Sequence, residues 1–224
     1  MLNTRNPYRI LLAVLLLLQG CHTIHQVNID SISGNGAKEK NKYILLPGNK
    51  GCQISDLQFI EFKNYTDRIL AQTGFTLVQN AYEADVIIFL DYGITGPYIH
   101  NYTYSLPVYG QTGVASSHTY GTASTYGNMT NTSSYTSYTP SYGVVGSSTH
   151  ADTIVQFMPY MTLCGYDLEK YKANGNFVSL WRTEVNCVID FNDLRRIFPV
   201  MITASKNYIA TNTYGKITIP IQED

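Results

Sequence analysis

The sequence predicts an α+β fold: one mostly antiparallel sheet with two helices packed on one face, interrupted by a Tyr/Ser/Thr/Gly-rich insert. Three observations carry that expectation. Short apolar runs bounded by Pro, Gly and Asn recur along the chain, as at Tyr43 to Pro47 and Asp85 to Tyr92. Only two stretches have helical spacing, too few to cover both faces of a sheet. Between Pro97 and Ala151 the chain has no Asp, Glu, Lys or Arg. Such a composition interrupts a core rather than extending it.

The first twenty residues stand outside the folded body. MLNTRNPYR carries Arg5 and Arg9 without an acid and leads into the apolar run Ile10 to Leu18. That run is shorter than the roughly 20 residues a transmembrane helix needs. A basic start, a short apolar middle and a small residue before the break mark 1–20 as a secretory signal, with Gly20 at the cleavage point. Residues 21–41 form a polar stretch ending in SISGNGAKEKNK. They read as a flexible tether, because they offer little surface to bury. A single domain is expected over 42–224, with the low-complexity insert at 97–151.

Within that domain, YILLP at Tyr43 to Pro47 is a buried strand. Ser55 with Gln58 has the capping-box pattern, Phe59, Phe62, Ile69 and Leu70 repeat at helical spacing, and Gly74 closes the helix. Phe75 to Val78 is a short strand. DVIIFLDY, Asp85 to Tyr92, is apolar nearly throughout and belongs at the centre of the sheet, covered on both faces. Its alternation continues through Tyr98, His100, Tyr102 and Tyr104, which carries the strand into the insert. There Tyr-Gly recurs at Tyr109-Gly110, Tyr120-Gly121, Tyr126-Gly127 and Tyr142-Gly143.

Gln156 to Leu168 is the next strand. After Asn174-Gly175-Asn176 comes an alternating one, with Trp181, Thr183, Val185, Cys187, Ile189 and Phe191 on one face. A hairpin turn centred on Gly175-Asn176 sets Cys164 opposite Cys187 and favours a disulfide between them over reduced thiols. Leu194, Ile197, Phe198, Met201, Ile202, Tyr208 and Ile209 have helical spacing, and Pro199 should kink or restart that helix. KITIPI, Lys216 to Ile221, ends the domain as a strand that Pro220 assigns to an edge.

Leu18-Gln19-Gly20-Cys21 resembles the bacterial lipobox. That resemblance implies that Cys21 becomes the first mature residue and carries acyl chains, palmitate among them, on its sulfur and amine. More than one chain is needed for stable anchoring, since each buried CH₂ adds about 0.8 kcal/mol. In the same pattern an Asp after the Cys retains the protein in the inner membrane. His22 and Thr23 stand there instead, which implies the outer membrane and a periplasmic face. ADVIIFLDYGI, YGVVGSST, and LWRTEV followed by DLRRIFPVMITASKNYIATNTYGKITI resemble uncharacterised bacterial lipoproteins of the domain-of-unknown-function 4136 type or close relatives. The resemblance implies an envelope protein with an α/β sandwich domain and carries over no catalytic residue.

The chemistry of the chain excludes more than it assigns. A formal net charge of −1 gives no basic field for nucleic acid. There is no GxSxG elbow and no GxxxxGK[ST] loop. His22 and His25 fall in the tether and His100, His118 and His150 in the insert, so neither a metal nor a cofactor is expected and no catalytic residue is assigned. The insert tyrosines are the candidates for contact: Tyr98, Tyr102, Tyr104, Tyr120 and Tyr126. Rings with hydroxyl neighbours bind peptide chains and sugar faces at low entropy cost. The expected function is a non-enzymatic outer-membrane lipoprotein with a structural or partner-binding role in the cell envelope, held to the membrane through acyl chains on Cys21. A glycan- or peptidoglycan-binding module using the same tyrosines is the alternative, and an enzyme with an unrecognised site is the third.

Overall fold

The computed structural model describes residues 24–37 and 39–222. Seven strands form one sheet in the order β3-β2-β4-β5-β6-β1-β7. They are β1 (Ile24–Ser33), β2 (Lys42–Pro47), β3 (Thr76–Leu77), β4 (Val86–Tyr126), β5 (Met129–Asp167), β6 (Ser179–Cys187) and β7 (Ile217–Gln222). Three helices accompany them among the described residues: α1 (Leu57–Gln72), α2 (Leu168–Asn174) and α3 (Leu194–Ser205). The chain divides into two units. One is the sheet-and-helix body up to Tyr98 and from Val155 onward, and the other is Ile99–Ile154.

The mostly antiparallel sheet with two helices on one face is therefore corrected to a mixed sheet with three helices. β2 runs parallel to both β3 and β4, while β1, β5, β6 and β7 pair antiparallel. The cause lies in α1. A helix between two neighbouring strands returns the chain to its starting end, so the flanking strands must be parallel. The N-cap of α1 is Asp56, whose side chain accepts from the Gln53 N–H at 2.8 Å and makes no cap bond to the helix. The Ser55–Gln58 capping box is thus not formed.

The expected tether is corrected as well. Residues 24–33 are β1, paired with β6 from Val27↔Cys187 to Ser33↔Trp181 and with β7 from Ile24↔Gln222 to Ile29↔Ile217. His25, Val27, Ile29 and Ser31 are its buried face. Ser31 tolerates burial because its hydroxyl meets Thr183 Oγ1 at 2.8 Å and donates to the Thr211 carbonyl at 3.1 Å.

One face of the sheet carries the main core. Val27, Ile29, Tyr43, Leu45, Val86, Ile88, Leu90, Met161, Leu163 and Val185 pack there with Phe59 and Phe62 of α1 and Ile197, Phe198, Met201 and Ile202 of α3. Phe62 stacks on Phe198 with centroids 4.0 Å apart and meets the edge of Tyr92 at 4.8 Å. α3 runs through Pro199 and ends at Ser205, short of Tyr208. Its N-cap Asp193 accepts from the Arg196 N–H at 3.2 Å.

The opposite face holds a smaller cluster of Ala84, Ile87 and Leu168, with Ile44, Leu46, Val78 and Phe89 around it. So α2, entering at Leu168, covers part of the second face. Asp167 caps it by accepting from the Lys170 N–H at 3.1 Å, and Gly175, at φ 73°, closes it in the left-handed region. Gly175 is therefore a helix terminator and not the centre of a hairpin turn.

Candidate functional site: an uncharged aromatic ribbon

The unit Ile99–Ile154 is made only of the continuing parts of β4 and β5. They meet at Gly127-Asn128, where Gly127 has φ 61° and Asn128 does not have positive φ. A glycine with positive φ at the first central position fits the type II′ turn that matches strand twist. Hydroxyl pairs fix the register: Thr125 with Thr130 at 3.2 Å, Thr122 with Ser133 at 3.1 Å and Thr119 with Thr136 at 2.9 Å. Farther along, a Cβ built on Gly110 would meet Val145 at 2.9 Å, and one on Gly143 would meet Thr112 at 3.2 Å. One register covers all five pairs. It sets Tyr120 opposite Tyr135, Tyr142 opposite Gly113 and Tyr109 opposite Gly146.

No residue of this unit is buried. Its strands run about 90 Å, with Tyr109, Tyr120, Tyr126, Tyr135, Tyr138 and Tyr142 all at least 65% exposed. Asp152 is its one charged residue, and it accepts from the Tyr102 hydroxyl at 3.3 Å. Tyr102 lies 6.1 Å from Tyr104, which stacks on His150 at 5.6 Å with the planes 24° apart.

Of the five tyrosines singled out from the sequence, the structure thus brings Tyr102 and Tyr104 together. Tyr120 and Tyr126 lie on one face farther along, and Tyr98 belongs to the sheet unit, donating to Thr95 Oγ1 at 3.2 Å. Sequence reasoning missed the rings of the returning strand, Tyr135, Tyr138 and Tyr142, and the stacking role of His150. Folding the sequence back on itself at Gly127-Asn128 would have found them.

The sheet unit has concave places of its own. On the second face, Phe89, Asp91, Thr162, Cys164, Tyr166 and Phe177 line a cavity of about 410 Å³. Its rings pack edge to face on one another at 5.4 to 5.9 Å. Beside the start of α1, Cys52, Asp56, Tyr92 and Leu194 help line another of about 500 Å³. There the Asn49 amide donates to the Tyr92 carbonyl at 2.7 Å and accepts from its N–H at 3.2 Å. Cys52 Sγ is 3.7 Å from the Tyr92 hydroxyl.

The expected Cys164–Cys187 disulfide is corrected: both thiols are free. Cys164 pairs with Arg182, and Cys187 pairs with Val27 of β1. α2 consumes the residues that a tight hairpin would have used, which shifts the register. The two thiols then face opposite sides of the sheet, Cys187 into the main core and Cys164 into the open-face cavity. Burial pushes the Cys187 thiol up to about 12 and raises Cys52 and Cys164 as well. All three are held as thiols near neutrality, a poor state for a nucleophile. Among the described residues no three His, Cys, Asp or Glu are grouped to hold a metal ion, and no helix is long and apolar enough to cross a membrane. Gly20 and Cys21 lie outside the described residues.

No protein-family profile and no curated protein matches the chain. Among solved structures it is similar to a PDZ domain protein from Parabacteroides distasonis, at 8% identity and a TM-score of 0.43. That similarity covers 97% of this chain and 44% of the other, so this chain spans less than half of that protein's length. A likeness that distant decides neither fold nor function.

Proposed function

We propose that the protein is a non-enzymatic outer-membrane lipoprotein, related to the domain-of-unknown-function 4136 type, that binds a partner in the cell envelope through the ribbon Ile99–Ile154. Cys21 carries the acyl chains, and the folded body faces the periplasm. One observation carries the binding role: the ribbon contains eight tyrosines and one charge and buries none of its residues. An isolated two-stranded ribbon is marginal in water, and exposed rings of this density are the side chains that contribute most at interfaces. The lipobox-like Leu18-Gln19-Gly20-Cys21 supports the anchor.

The test places a photocrosslinking amino acid at Tyr120, Tyr126 or Tyr142, and at Ile32 or Tyr82 of the sheet unit as controls, in intact cells. Discrete adducts are expected from the ribbon positions and none from the controls. Adducts from the controls alone would overturn the reading. For the anchor, Cys21→Ser is expected to move the protein from the membrane pellet to the soluble fraction, and unchanged pelleting would refute it.

The tilted stack of Tyr102, Tyr104 and His150 favours a second reading, a platform for a flat sugar face. Co-sedimentation with purified cell wall, lost in Tyr104→Ala, supports it. Sedimentation unaffected by that change removes it.

A further inference from the structure

Resting on the ribbon's role as the binding part, we infer that its partner is a second copy of this chain, joined edge to edge along β4 between Val108 and Thr122. Among the described residues, β2 pairs with β4 only from Val86 to Leu90. Beyond that, the outer edge of β4 in the ribbon has a row of backbone N–H and C=O groups that no other strand takes. Open edges of this kind are templates for another strand, and proteins that avoid such pairing place Lys, charge or Pro on them. The ribbon's edges have no Lys, Arg or Glu. Pro107 and Pro140 interrupt them, and the longest proline-free run is 108–126 on β4.

That run is complementary to itself. An antiparallel pairing about a twofold axis at Ala115 sets Tyr109 opposite Gly121 and Gly110 opposite Tyr120. It also sets Thr112 opposite His118, Gly113 opposite Ser117, and Ala115 opposite its own copy. Directly opposed residues in antiparallel strands point to the same face, so each tyrosine ring of one copy covers a glycine of the other. Rings over edge glycines are a recognised device for fixing register. Gly110 already lies against Val145 in its own hairpin, so the second copy's Tyr120 ring reaches across Gly110 to an exposed valine. Every large side chain meets a small one, and no charge opposes another. A twofold contact closes on itself and needs one surface only.

The test uses the full chain expressed in its own cells. Ala115→Cys is expected to give a disulfide dimer on mild oxidation, because directly opposed strand residues lie within bonding range. Ala123→Cys, outside the paired run, is expected to give at least ten-fold less. Two differently tagged copies, one Gly113→Cys and the other Ser117→Cys, should also link. That link should fall at least ten-fold when both copies carry Ala115→Lys, since like charges directly opposite repel. It should return when one copy carries Ala115→Lys and the other Ala115→Glu.

Equal dimer from positions 115 and 123, or a link indifferent to the lysine pair, overturns the proposed register. No dimer from position 115, with photoadducts from Tyr120 to a different envelope protein, overturns self-pairing and leaves the ribbon as a binding part. No adduct of any kind from the ribbon overturns both.

Discussion

The two halves of β4 obey the same backbone rules and opposite burial rules. From Val86 to Leu90 the strand lies between β2 and β5, and Val86, Ile87, Ile88 and Leu90 are buried. From Ile99 to Tyr126 it pairs, among the described residues, only with β5 and buries nothing. Tyr and Thr satisfy the pleated backbone as well as Val and Ile do, so hydrogen-bonded strand continues unbroken through both. What changes is the apolar area removed from water, at about 25 cal/mol per Å². The first half stabilises the fold; the second leaves its side chains and one backbone edge available.

The largest way to break this contrast is in the main core. Phe62→Ala removes a ring stacked on Phe198 and enclosed by Tyr92, and should cost about 3–5 kcal/mol in chemical denaturation. Gly165→Ala comes next. Its Cβ would fall 2.4 Å from the buried Trp181 ring, and overpacking of that kind costs about 1–3 kcal/mol. The indole cannot move away easily, since it also packs against Phe75 at 5.9 Å.

An acid titration sharpens the same contrast through Asp167. Burial alone would raise its carboxyl, but the Lys40 ammonium at 2.9 Å and the Lys170 N–H outweigh that and hold it below the usual carboxylate range. Its contribution is therefore fully present above about pH 4, the value for an unfolded Asp, and is lost as pH falls through the lower folded value. The stability difference between wild type and Asp167→Asn should shrink over that acid window, read by denaturant midpoints at successive pH values. A difference that stays constant would contradict it. The smallest effect belongs to the ribbon: Tyr120→Ala should change stability by less than about 0.5 kcal/mol while reducing the crosslinks expected from probes at Tyr126 and Tyr142.

The sequence was a good guide where one residue decides one outcome. Pro220 does sit on an edge strand, and Trp181, Thr183, Val185 and Cys187 do share the buried side of β6, which ends at Cys187, short of Ile189 and Phe191. It misled where a local signal depends on a distant partner. The polar stretch ending in SISGNGAKEKNK made 21–41 look unable to order, yet Thr183 on β6 and the Thr211 carbonyl accommodate the buried Ser31, and the Phe191 ring meets His25. Asn174-Gly175-Asn176 has hairpin chemistry, but Asp167 and Gly175 cap a short helix there, and this one choice misplaced the cysteines. The ribbon's composition was plain in the sequence. That composition gave no register, because Ser, Thr and Gly repeat on both strands and only the turn at Gly127-Asn128 selects one alignment.

The most direct test removes the ribbon. Gly96 already lies 3.0 Å, by its ideal Cβ, from the Gln156 carbonyl, so the paired ends can be rejoined by replacing Ile99–Ile154 with Asn-Gly. The shortened protein should unfold at a temperature within about 3 °C of wild type, as expected for less than about 1 kcal/mol, and should capture no partner in cells. Loss of the cooperative transition, or capture that persists without the ribbon, would contradict the division between a stabilising sheet and a binding ribbon.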